Sequence, residues 1–94
     1  MRSHSTYKVP QGKLLKISLD YDEAKKVIRW VRITGDFFAY PEEALEQLEE
    51  KLRNTGLDPA VLQKQISSLI AEYHIQFIGV DAEGLAQGIM RCIP

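Results

Sequence analysis

Cysteine is nearly absent from this chain. The single Cys92 closes no internal disulfide and cannot hold a zinc ion alone. A reducing compartment is the corresponding expectation. Histidine is almost as scarce: His4 and His74 form no His-x-x-x-His pair, and the sequence has no Cys-x-x-Cys and no glycine-rich phosphate loop. No apolar run approaches the roughly 20 residues that cross a bilayer. Residues 1–12 hold no apolar core of a secretory signal. Together these absences predict a cytoplasmic protein with no membrane partner. Excess positive charge is missing too. The net charge is -1, which speaks against a general nucleic-acid binder, since that role needs a basic stripe to displace counterions from phosphates.

What is present is ordinary for one soluble globular domain: 94 residues, 45% hydrophobic and 27% charged. There are no repeats and no low-complexity segment. Residues 1–12 lack periodicity, contain Pro10 and Gly12, and read as a flexible lead-in to a single domain over residues 13–94. Arg2, Lys8, Lys13 and Lys16 make the start locally basic, as a solvated arm would be.

From Leu15 the pattern alternates. Leu15, Ile17 and Leu19 face one side, and Lys16, Ser18 and Asp20 the other, which predicts a half-buried strand. Tyr21–Lys25 is polar and suits a hairpin connection, although it lacks glycine. Lys26–Thr34 predicts a second strand. Its doubled apolar pairs, Val27-Ile28 and Trp30-Val31, call for a bulge or for burial on both faces. Pro41 suits the first position of a helix, with Glu42 and Glu43 on its positive end and a stripe of Ala44, Leu45, Leu48 and Leu52. Asn54-Thr55-Gly56 is a stop signal. Asp58 caps a second helix with stripe Leu62, Ile66, Leu69, Ile70 and Tyr73. His74–Val80 holds a short strand, and Asp81 caps a last helix with Leu85, Ala86, Ile89 and Ile93 inward. The order β-β-α-α-(β)-α predicts an α+β fold, a small antiparallel sheet of two or three strands packed against about three helices.

The segment Thr34-Gly35-Asp36-Phe37-Phe38-Ala39-Tyr40-Pro41 stands out. A strand-to-helix connection normally carries small polar residues, because it runs over the wet surface. Here three aromatic rings flank a Gly-Asp pair. They either fold back on the core or form a contact surface. Catalytic chemistry is not visible: there is no nucleophile with a base, no metal cluster and no phosphate cradle. Gly84 and Gly88 fit close helix packing. Cys92 reads as a small apolar helix residue. Glu42, Glu43, Glu46, Glu49 and Glu50 are spaced as a solvated helix face.

On these residues the chain resembles the small C-terminal domain of lipoate–protein ligases. The resemblance covers about residues 9–93. It rests on Val9-Pro10-Gln11-Gly12-Lys13-Leu14, on Val31-Arg32-Ile33-Thr34-Gly35-Asp36-Phe37-Phe38, and on Pro41-Glu42-Glu43 with the Leu45/Leu48 stripe, in that order and spacing. In some archaea and related bipartite systems that domain is a separate polypeptide. The resemblance implies an accessory subunit that is not catalytic alone and binds no cofactor alone. Its partner would be a large catalytic chain that uses ATP and magnesium to convert lipoate to lipoyl-adenylate. The lipoyl group would then pass to a lysine on acceptor domains of 2-oxoacid dehydrogenase complexes or glycine-cleavage proteins. On that reading the expected partner-facing or adenylate-proximal residues are Lys13, Gly35, Asp36, Phe37, Phe38 and Tyr40. Lys13 would act as a mobile charge, one of the phenylalanines as an apolar anchor, and the Asp36 side chain as an organiser of the turn. Three other roles compete: a non-enzymatic adaptor or regulatory module with this fold, an iron–sulphur or sulphur-transfer scaffold, and a self-associating protein with a patch of Tyr7, Trp30, Phe37, Phe38 and Tyr40.

Overall fold

The computed structural model describes residues 1–10 and 12–93; Gln11 and Pro94 lie outside the described residues. The elements run β1 (Arg2–Lys8), β2 (Leu14–Asp22), β3 (Val27–Gly35), β4 (Phe38–Tyr40), α1 (Glu43–Lys51), α2 (Pro59–Glu72), β5 (Gln76–Ile78) and α3 (Ala82–Met90). Strands β1, β2 and β3 form an antiparallel sheet in that order, and β4 pairs with β5 in a second, two-stranded sheet. The α+β class, the antiparallel sheet and the three helices are as predicted; β1 and β4 are additions.

Alternation in β2 turns Leu15, Ile17, Leu19 and also Tyr21 into the core. The strand therefore runs two residues beyond Asp20, and Tyr21 belongs to the core, not to the connection. The hairpin closes without glycine. Asp22 Oδ1 accepts from the N–H groups of Ala24 and Lys25 at 2.9 and 3.0 Å, and Lys26 takes the left-handed conformation at φ 53°. These N–H groups, Lys25 first, hold the Asp22 carboxyl below its ordinary pKa. The bulge is present in β3. Asp20 pairs with Trp30 but Tyr21 with Ile28, so Arg29 is the extra residue. The shift lets Ile28, Val31 and Ile33 all face inward.

The lead-in expectation for residues 1–12 needs correction. Residues 2–8 form a strand paired with β2 from Arg2↔Asp20 to Lys8↔Leu14. Its inward residues are Ser3, Ser5 and Tyr7, so the alternation carries almost no hydrophobic signal. Of the basic residues at this end, Arg2 and Lys8 stand on β1 and Lys16 on β2, not on a loose arm, and Lys13 immediately precedes β2.

Helix boundaries follow their caps. Asp58 accepts from Ala60 and Val61 N–H, and Asp81 from Gly84 N–H at 2.8 Å. Helix α1 begins after Pro41: Glu42 is its N-cap residue and makes no side-chain cap bond. Its stop uses Asn54, at φ 68°, while Gly56 bridges to Val27. The helices cover one face of the main sheet. Against that face pack Leu48 and Leu52 of the α1 region and Leu85 and Ile89 of α3, while Leu62 and Ile66 of α2, which lies against α3 and α1, join the same core, all fully buried. Gly88 permits α3 to lie on β2, since a Cβ there would stand 2.6 Å from Ile17 Cδ1.

Candidate functional site

Gly35 fixes the geometry of the aromatic turn. Its φ is +148°, and a Cβ would lie 2.2 Å from the Leu14 carbonyl oxygen. Only glycine fits both constraints. The next residue ties the turn to the start of β2 through its backbone: Asp36 N–H donates to Leu14 O at 3.0 Å. The carboxylate of Asp36 is exposed and makes no hydrogen bond among the described residues. Asp36 therefore organises the turn by its main chain and not, as expected, by its side chain.

Lys13 meets this turn from the other side. Its N–H reaches Gly79 O at 3.4 Å. Gly79, at φ +99°, leaves a notch: a Cβ there would stand 2.8 Å from Lys13 Cγ and 3.5 Å from Phe37 Cβ. The apolar stem of Lys13 is thus laid across Gly79 beside Phe37, and the residue remains exposed. The fold thus brings Lys13 beside Phe37 of the Gly35–Phe38 turn.

The rings divide by strand parity. Phe37 is half-buried, its ring 6.0 Å from Phe77 at 53°. Ala39, the middle residue of β4, is buried, so Phe38 and Tyr40 point outward, 61% and 48% exposed. Their rings stack at 6.4 Å and 20°. Ile78, directly opposite Phe38 in the β4–β5 pair, is 49% exposed. Phe38, Tyr40 and Ile78 therefore share one small apolar surface. Beside it is an open hollow of about 310 Å³ bordered by Ile33, Thr34, Gly35, Phe37, Glu42 and Leu45.

The five-ring patch proposed for self-association does not form as one surface. Tyr7 is half-buried under the Arg91 guanidinium, 4.5 Å from its ring centroid. Trp30 stands on the open face of the main sheet with Arg32 at 5.7 Å. Cys92 is buried, and burial pushes its thiol pKa up, with Ser5 Oγ opposing. A reactive thiol is not built there. Among the described residues no group of His, Cys, Asp or Glu is arranged to hold a metal ion. The acidic face of α1 is solvated as predicted, except at Glu49, whose carboxylate accepts from Ile33 N–H at 2.7 Å. Sequence reasoning missed Ile78 and Gly79. The alternation in Gln76-Phe77-Ile78 is visible, but nothing local says which strand it meets.

Comparison with known proteins follows the same residues. The family described as "Bacterial lipoate protein ligase C-terminus" matches residues 8–89. The chain is 28% identical over 92 residues to "Lipoate-protein ligase A subunit 2" of Thermoplasma acidophilum, which spans 95% of this chain and 88% of that protein. A solved chain from a structural analysis of an archaeal lipoylation system, a bi-partite lipoate protein ligase and its E2 lipoyl domain from Thermoplasma acidophilum, superposes with a TM-score of 0.72. It is 26% identical and covers 92% of this chain and 96% of that one. Among the described residues no helix is long and apolar enough to cross a membrane.

Proposed function

Since this chain belongs to the family of bacterial lipoate protein ligase C-terminal domains, we propose that it is the accessory subunit of a bipartite lipoate–protein ligase. It works with a separate large catalytic chain as a cytoplasmic heterodimer. The observation that carries this reading is the match along almost the whole length of a relative that is itself a ligase subunit 2. The exposed Phe38–Tyr40–Ile78 surface supports it, because a subunit needs an apolar patch that water does not favour.

In this reading ATP, magnesium and lipoate belong to the large chain, which forms lipoyl-adenylate and transfers the lipoyl group to a lysine of acceptor domains. The acceptors are 2-oxoacid dehydrogenase or glycine-cleavage proteins. The small chain contributes closure. Phe38 and Tyr40 pack on the large chain, and the rigid turn at Gly35 holds their orientation. Burial of the patch excludes water, which protects a hydrolysable mixed anhydride and strengthens electrostatics inside the site. Lys13 adds a charge at the rim. Its stem is steadied on Gly79 while the ammonium reaches for a phosphate or a carboxylate of the partner.

The test is lipoyl-adenylate formation by the large chain with ATP, magnesium and lipoate, with and without this protein. Strong dependence on the small chain is expected. Phe38→Ala and Lys13→Ala proteins at matched concentration are expected to support at least about tenfold less activation, the loss of one interface anchor or charge contact. Full activation with both variants would remove these residues from the role. Activation that ignores the small chain, with no binding, would favour the adaptor.

A further inference from the structure

The two edges of the main sheet are finished differently. The outer edge of β3 is closed over most of its length. Ile28 N–H donates to Thr55 O at 2.9 Å, Asn54 N–H to Ile28 O at 2.7 Å, and Leu57 N–H to Lys26 O at 2.9 Å. Beyond the bulge, Arg53 Nε donates to Arg29 O at 3.1 Å, and Glu49 takes the Ile33 N–H. At the other edge, Tyr21 N–H donates to Met1 O, and Val9 N–H to Lys13 O. The parity of this ladder turns the main-chain groups of Ser3, Ser5 and Tyr7 toward β2. Those of Arg2, His4, Thr6 and Lys8 point away, and among the described residues none of them is paired across that edge.

A row of free N–H and C=O groups is a template for one more strand. The side chains say which kind. Ser5 faces α3, its Oγ donating to Gly88 O at 2.9 Å, so Arg2, His4, Thr6 and Lys8 stand on the sheet face that no helix covers. A second copy pairing antiparallel about Ser5 would set Arg2 against Lys8 at both ends, a like-charge opposition that disfavours self-pairing. Further in, Lys16 stands beside Thr6, and Arg32 lies beyond Ser18 in the row of His4. Two carboxylates accompany these rows: Asp20, ion-paired with the Met1 ammonium at 3.3 Å, and Asp36, whose N–H bonds Leu14 O at the end of the Lys8 row, and the cations still prevail. An acidic strand complements this edge; a basic or identical one does not. The edge also leads into the aromatic site, since β1 continues through Val9 to its bond with Lys13, which rests on Gly79.

We propose that the free edge of β1 receives an extended, acidic segment of the large catalytic chain as an added strand of the sheet. This rests on the reading of the chain as an accessory subunit. It assigns a second contact to that partnership, separate from the aromatic patch and made chiefly by main-chain hydrogen bonds.

The test is amide hydrogen exchange of this chain, read residue by residue, alone and with the large chain. The N–H groups of Arg2, His4, Thr6 and Lys8 exchange fast in the free protein and slow by about tenfold or more on binding. A His4→Pro/Thr6→Pro protein loses two outward donors and none of the β1–β2 ladder. It is expected to fold and to bind the large chain about tenfold or more weakly. An Arg2→Glu/Lys8→Glu protein, which keeps every backbone donor, is expected to bind more weakly, with a shallower salt dependence. Binding that leaves the four amides as exposed as in the free chain overturns the added strand and spares the subunit reading. Protection that grows with the concentration of the free chain alone makes a second copy the occupant and overturns the proposal. No binding of the two wild-type chains overturns the partnership and the added strand with it.

Discussion

At Glu49 one carboxylate serves two opposed demands. It must lie half-buried against the edge of β3 to accept from Ile33 N–H, and burial penalises its charge. Desolvation prevails and raises its pKa above the ordinary 4.5, against the pull of the Ile33 bond and of Arg32, with Glu46 adding to the rise. The folded state therefore binds this proton more readily than the unfolded chain. The resulting stabilisation is full below about pH 4.5 and is lost as pH rises through the folded value. Glu49→Gln keeps an oxygen for Ile33 and removes the charge. It is expected to melt above the parent at pH 7, with the gap closing toward pH 4, as followed by circular dichroism. Equal melting at both ends would show that the charge is not the strained element. Glu49→Ala leaves the Ile33 N–H without a protein partner and is expected to cost about 1 kcal/mol. Gly35 is a harder constraint, because its two conflicts, a left-handed φ and the Leu14 carbonyl, both involve backbone. Gly35→Ala is expected to destabilise by at least about 2 kcal/mol in urea titrations. A smaller loss would mean that the turn can re-form another way.

Elements whose signals are local are legible in the amino-acid order itself. The caps Asp58 and Asp81, the stripe of α3 and the bulge in β3 all declare themselves within a few residues. Replacing Asp81 by Ala leaves Gly84 N–H without its 2.8 Å acceptor. The expected loss is about 1 kcal/mol, or about 4–8 °C in melting temperature for a domain of this size; an unchanged melt would mean that α3 is held by packing alone. Elements defined by distant pairing are not legible in this way. Strand β1 hides because Ser3 and Ser5 occupy its inward positions, and Ser5 closes on α3 by its hydroxyl rather than by apolar bulk. Strand β4 hides because three residues, Phe38-Ala39-Tyr40, are too few to show a period, and its partner β5 lies beyond two helices. The site divides along the same line. Gly35–Tyr40 announces itself as aromatic residues out of place in a connection. Ile78 and Gly79, which complete the patch and steady Lys13, reach it only through the fold. Asp36 illustrates a different limit: its position is readable, but a sequence cannot say whether main chain or side chain makes the bond.

For the molecule as a whole, the segment that reads as a lead-in turns out to be one side of the structure. Strand β1 supplies the hydrogen-bonding partner of β2 along its length. It also reaches under α3, through Ser5 to Gly88 O and Tyr7 to Arg91. Without it β2, with Leu15, Ile17, Leu19 and Tyr21, becomes an open edge of an apolar sheet. Such an edge both loses ladder energy and invites association with other chains. Each lost hydrogen bond is worth about 1 kcal/mol net, so removal of residues 1–8 is expected to cost at least about 3 kcal/mol out of a total stability of roughly 5–15 kcal/mol. At about 4–8 °C per kcal/mol, the melting temperature should fall by about 12 °C or more. Scanning calorimetry of the shortened chain, with light scattering beside it, decides the matter. A solvated arm would be removed without effect on either. A large drop, accompanied by association at micromolar concentration, is the behaviour of a sheet stripped of its edge strand, and it would make β1 a structural prerequisite for any partner that binds along it.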